Sequence, residues 1–169
     1  NDYKAIGEIG IDLFHEKKYF EQQVHVFEEQ IKLALENNLP IVIHSRDSFN
    51  EIYKVLKKFK SEKLRGIFHC FTGDKQQAKK IIDLNFYLGI GGVVTFKNGK
   101  ISEFLNSIPI ERIVLETDSP YLAPSPYRGK RNESSYIKII AEKIADLYNI
   151  NLAEVSKITK KNSLDIFGN

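Results

Sequence analysis

The 169-residue chain contains no methionine and only one cysteine, Cys70. A lone thiol cannot close an intramolecular disulfide, which fits a reducing compartment: the cytoplasm, or the nucleus if the source is eukaryotic. No apolar run approaches the roughly 18–20 residues that span a bilayer. No basic-then-apolar signal segment opens the chain either, so no membrane partner and no export are expected. A surplus of one charge sign is also missing. Lys and Arg number 25 against 22 Asp and Glu, a formal net charge of +3. That balance excludes a polycation that coats nucleic acid indiscriminately, so any such contact must be local. The sequence begins NDYKAIGEIG and enters a strand-like run almost at once. Together with the absent initiator Met, this leads us to expect a further N-terminal segment upstream.

What is present suffices for a core, with 42% hydrophobic and 11% aromatic residues. Short runs rich in Ile, Val and aromatics predict strands near 4–9, 41–45, 65–70, 86–94 and 112–117. Helical spacing separates them. Val24, Phe27, Ile31, Ala34 and Leu35 share one face, and Asn37, Asn38 and Pro40 close that segment. Ser48 and Glu51 form a capping-box pattern ahead of Ile52, Val55, Leu56 and Phe59. Gly73 and Asp74 open a third helix, an apolar piece runs from Ile101 to Leu105, and two helices are expected near 134–148 and 152–161. Strands alternating with helices predict an α/β domain with parallel strands, because parallel neighbours need a crossover. No linker or repeat divides residues 1–169.

Reactive residues gather where such strands end: Glu8 in GEIGID, His44 in PIVIHSR, His69 in GIFHCFTG and Asp118 in VLETDSP. The carboxyl ends of parallel strands are where α/β folds collect their chemistry. Glu8 is expected to face a closed lumen, where a cation is the economical partner, and an ion pair with Lys or Arg is the competing account. Each histidine alone reads as structural, but two on adjacent strands beside a glutamate favour metal ligation. Glu116 and Asp118, two apart in one predicted strand, point the same way. Asp118 suits a metal or a water proton, and Glu116 suits orienting the ligands behind it. His15 and His25 read as surface residues, with His15 close enough to the rim to touch substrate. Arg46, and Arg128, Lys130 and Arg131 in YRGKRNE, suit phosphates, although a solvated basic turn competes. Gly89, Gly91 and Gly92 do not match a GxGxxG cradle and are expected to mark a crowded strand end.

With these residues assembled, the chain resembles the TatD family of metal-dependent deoxyribonucleases over nearly its whole length. The likeness runs through GEIGID, the QxxxFxxQ pattern from Gln23 to Gln30, NLPIVIHSRD, HCFTG, LGIGG, IPIERIVLETDSPYLAP and RGKRNE. It implies a TIM-type (β/α)8 barrel of which this chain holds about the last five strands and their helices, so 1–169 would be the C-terminal part of one barrel domain. The family's opening strand carries an HxH pair, and no HxH occurs here. By resemblance Glu8 bridges two metal ions, His44 and His69 complete one site, and Asp118 joins the HxH pair at the other. Asp12 and Glu116 would stand behind these ligands. Ser134 departs from the family's usual proline after RNE. The implied activity is metal-dependent hydrolysis of DNA, 3′-to-5′ from single-stranded ends, with Glu8 and Asp118 catalytic. The implied cofactor is a divalent cation, two Mg first, with Mn or Zn as alternatives. A hydrolase of a small amide, ester or lactone, and a noncatalytic fragment that binds metal or nucleic acid, are the other readings.

Overall fold

The computed structural model describes residues 3–14, 16–59 and 63–168. Its centre is a five-stranded parallel sheet in sequence order: β1 (Ile6–Asp12), β2 (Ile41–Arg46), β3 (Gly66–Phe68), β4 (Phe86–Ile90) and β5 (Ile113–Leu115). Helices α1 (Phe20–Glu36), α2 (Phe49–Lys58) and α3 (Lys75–Asp83) make the first three crossovers. Short 3-10 turns make the fourth, and α4 (Ile137–Tyr148) and α5 (Leu152–Phe167) close the chain. No helix among the described residues is long and apolar enough to cross a membrane.

Period-two alternation decides which side chains reach the site. Ile9, Ile11, Ile41, Ile43, Phe68, Leu88 and Ile113 point toward the helices and pack against Phe27, Ile31, Ile52, Leu56, Ile81 and Ile144. The alternate positions face the other way. Val42, Ile67, Tyr87 and Val114 form a second cluster with Ile166 and Phe167 from the end of α5. Two residues beyond Val42, Ile67 and Val114 stand His44, His69 and Glu116, the polar residues of the carboxyl rim.

Four expected strand boundaries shift. The predicted strand at 86–94 stops at Ile90 and turns into a 3-10 helix over Gly92–Thr95. A Cβ at Gly92 would run into the Leu122 carbonyl, so the chain bends away where the rim is crowded. With its partner strand gone, β5 ends at Leu115, so Glu116 and Asp118 follow the strand rather than belonging to it. β3 likewise ends before His69, and β1 extends past the expected end to Asp12.

Ser48 does not form the expected capping box. Its buried hydroxyl donates instead to the Ile11 carbonyl, clipping the start of α2 to β1. The boxes that do form are Asp74 with Gln77 at α3 and Asn151 with Glu154 at α5.

Helix α5 is fastened to the sheet by one buried amide. Asn162 Nδ2 donates to the Ile110 carbonyl at 2.9 Å and the Ile113 carbonyl at 2.7 Å. Asn162→Leu keeps the branched shape and number of heavy atoms but strips both acceptors of their donor, which should lower the unfolding free energy by about 2–4 kcal/mol. Urea denaturation reads this directly. A loss below about 0.5 kcal/mol, the range of ordinary surface changes, would show that the clasp is dispensable.

Candidate metal centre

Glu8 reaches the rim through an irregularity. Ile6 pairs with Ile41 and Ile9 with Ile43, so three steps on β1 span two on β2, and Glu8 lies in that bulge. Bulges re-aim side chains in this way. Gly10, directly opposite His44, has φ +148°, and a Cβ there would strike the His44 carbonyl oxygen. Glycine is required at that position because the two strands approach so closely.

The Glu8 carboxylate is half exposed, so the burial expected to demand a cation is not what defines it. Its neighbours define it. Among the described residues its ion-pair partners are imidazoles rather than Lys or Arg: His44 Nδ1 lies 3.7 Å from one oxygen and His69 Nε2 3.7 Å from the other. Each ring is held at its far side by a different carboxylate. Asp12 Oδ2 is 3.0 Å from His44 Nε2, and Glu116 Oε2 is 3.0 Å from His69 Nδ1. Asp118 Oδ1 lies 3.2 Å from the same His69 nitrogen that faces Glu8.

Outer carboxylates that fix the tautomer and angle of an imidazole are the usual support of metal-ligating histidines. The spacing fits as well. A tetrahedral ion with arms of about 2.0–2.2 Å separates neighbouring donors by about 3.4 Å. The contacts of Glu8 and Asp118 with the two rings fall around that value. Among the described residues no three His, Cys, Asp or Glu side chains converge closely enough to hold a metal ion together, and the donors meet in pairs. The chemistry of the set, two imidazoles and two carboxylates, suits a divalent cation.

The supporting groups are themselves held. Asp12 has its backbone N–H bonded to Gln23 Oε1 at 2.7 Å, while Gln23 Nε2 donates to the Asp12 carbonyl at 3.1 Å. Burial pushes the Asp12 carboxyl up, but the Phe14 N–H, His44 and Arg46 outweigh it and hold it below the usual range. Glu116 accepts from the Cys70 N–H at 2.8 Å through its second oxygen. Burial, with Glu116 next, pushes the Cys70 thiol up to about 12, so it is no thiolate nucleophile at neutral pH.

The four predicted cations lie along the same rim. Arg46 ends β2 opposite Asp12, with its guanidinium over the Phe14 ring. Arg128 lies over Phe96, Lys130 near Tyr127, and Arg131 beside Ser119 and Pro120. Their loop is closed by Asn132, which was not singled out from the sequence. Its buried Nδ2 donates to the Thr117 and Tyr121 carbonyls. A pocket of about 410 Å³ beside His69 was also missed; it is lined by Asp47, Phe49, Asn50, Thr72 and Gln77. The polar residues that follow each strand in HSRDSFN and HCFTGDK were the available signal. His25 is exposed on α1, and His15 lies outside the described residues.

The profile of the family described as TatD related DNase matches residues 1–168. The chain belongs to the TatD family. It is 46% identical over 164 residues to the uncharacterized metal-dependent hydrolase YabD of Bacillus subtilis, covering 96% of this chain and 64% of that protein. The uncharacterized metal-dependent hydrolase YcfH of Escherichia coli K12 is 35% identical over 164 residues, covering 96% and 62%. The chain therefore spans just under two thirds of the length of the curated relatives it matches. Among solved structures, the TatD homologue YjjV of Escherichia coli K12 superposes with a TM-score of 0.92 at 28% identity, covering 98% of this chain and 64% of that one. A TatD family hydrolase from Entamoeba histolytica gives 0.82 at 26% identity, covering 96% and 62%. The fold class is thus α/β, the TIM-type barrel of the TatD family, represented here by five parallel strands.

The candidate site carries a titration signature. The Glu116 bond holds the metal-free His69 imidazole up at about 9, against the opposing effect of burial, with Glu116, Glu8 and Asp118 charges adding to it. A raised pKa means the charged ring stabilises the fold fully below the ordinary value of about 6.5 and loses that contribution as pH rises through about 9. Glu116→Gln should move the His69 midpoint down toward about 6.5 in the metal-free protein, followed by the imidazole proton resonances. An unmoved midpoint would remove Glu116 as the group that sets this ring.

Proposed function

We propose that this chain supplies the reacting rim of a metal-dependent hydrolase that cleaves DNA phosphodiester bonds, trimming single-stranded ends in the 3′-to-5′ direction. One observation carries the reading: both imidazoles turn their free nitrogen to the two oxygens of Glu8 while Asp12 and Glu116 hold the opposite nitrogens. Glu8, His44, His69 and Asp118 are the groups that would hold the ions. A divalent metal bound there, two Mg²⁺ first and Mn²⁺ or Zn²⁺ as alternatives, would supply Lewis acidity toward a phosphoryl oxygen and lower the pKa of water.

The remaining work falls to side chains. Asp118 stands at the mouth of the rim, in contact with His69 and only partly covered, and it orients or deprotonates the attacking water. Glu8, whose two oxygens face His44 and His69, would take part in holding the ions. Arg46, Arg128, Lys130 and Arg131 face the flanking nucleotides and contribute affinity without sequence preference. The names of the relatives as metal-dependent hydrolases support the metal, and the family description supports DNA as the substrate.

Digestion of a single-stranded oligonucleotide with and without Mg²⁺ or Mn²⁺ tests the reading. Cleavage should require the ion and fall by at least about 100-fold in Asp118→Ala and in His69→Ala. Variants that digest as fast as the parent would show that the site lies elsewhere. Turnover of a lactone or amide, with none of DNA, would replace the nuclease by a small-molecule hydrolase.

A further inference from the structure

Two of the rim cations are not bare charges. The Arg46 guanidinium carbon lies 3.6 Å from the centroid of the Phe14 ring, and that of Arg128 lies 3.8 Å from the centroid of Phe96. At such separations the planar cation rests against the ring face. Lys130, by contrast, keeps its ammonium 5.9 Å from Tyr127. Both arginines are exposed, so the ring backs one side of each guanidinium and solvent meets the rest.

The two stacks bracket the metal donors. Arg46 is in register with Asp12, the carboxylate that holds His44. Arg128 belongs to the loop that leaves Asp118, and that loop is tied next to Phe96 by the Ser125 N–H, which donates to Thr95 Oγ1 at 2.8 Å. One stack stands beyond β1 and β2, and the other beyond β4 and β5.

We propose that Arg46 on Phe14 and Arg128 on Phe96 are stacking platforms for unpaired nucleobases. The site then grips a nucleic-acid end by its bases as well as its phosphates. This rests on the nucleic-acid reading above and assigns these arginines a role that charge alone cannot perform. A phosphate needs only a cation; a base needs a flat surface, which arginine has and lysine lacks. Bases inside a duplex already have both faces covered by neighbours, so platforms of this kind select single-stranded ends.

The charge-preserving substitution separates the two roles. Binding of a fluorescent oligothymidylate and of an abasic phosphodiester chain of equal length is measured by anisotropy with Mg²⁺, on the Asp118→Ala background so that the strands survive. The base-bearing strand should bind roughly tenfold or more tightly than the abasic one. Arg46→Lys and Arg128→Lys should each cost the oligothymidylate several-fold more affinity than the abasic strand, removing much of that difference, and Phe96→Leu should act like Arg128→Lys. Lysine variants that hold oligothymidylate as well as their parent, with Arg→Ala variants losing both strands equally, would reduce the arginines to phosphate contacts and overturn the platforms alone. Failure of the parent chain and the Asp118→Ala chain alike to bind either strand would remove the nucleic-acid reading along with them.

Discussion

Glu116 commits both oxygens of one partly buried carboxylate, one to the His69 ring and the other to the Cys70 backbone N–H. It follows β5, whereas both partners follow β3, so this group spans the intervening strand and fixes the relative position of two chain exits. β4 permits the crossing only because position 89 is glycine: a side chain there would collide with the Glu116 carboxylate. The orientation of His69, its raised protonation range and the placement of its free nitrogen toward Glu8 and Asp118 all descend from this bridge.

His44 is organised by the same logic with different parts. Asp12 lies in the neighbouring strand, and its backbone is gripped at both N–H and carbonyl by Gln23 from α1. One ring is thus set through a strand-to-strand bridge and the other through a helix-to-strand clasp. The two rings converge on Glu8 although no hydrogen bond joins them to each other. Charge alone would not produce this, since four carboxylates around two imidazoles repel one another unless each has its own donor. Here Asp12 accepts from Phe14, Glu116 from Cys70, and the rings serve the remainder.

The strand–helix alternation and the rim residues were legible because each rests on a local rule: apolar periodicity, and polar residues where an apolar run stops. Glu8, His44, His69 and Asp118 announced themselves by breaking Ile- and Val-rich runs. Strand ends were less legible, since β5 stops at Leu115 for want of a neighbour that turns away at Gly91, a cause lying in another segment. Ser48 shows the same limit, its pattern matching a helix cap while its hydroxyl serves β1. The half exposure of Glu8 and the Arg–aromatic stacks depend on distant partners too. A basic turn in the sequence looks like charge, and only the fold reveals that Arg128 is laid on a ring thirty-two positions earlier.

Asn132 holds its two acceptors from a single amide nitrogen and anchors the adjoining Glu133 N–H through its carbonyl oxygen. Closing the loop at its base has a consequence for recognition. A tethered segment of that length would otherwise surrender conformational freedom whenever a ligand arrived, and part of the contact energy would be cancelled by ordering. Here those bonds form during folding, so a nucleic-acid end of the kind proposed above would meet a loop that is already ordered. Under that proposal, selectivity along this edge would rest on shape fixed in advance and would be read in how fast ligands leave.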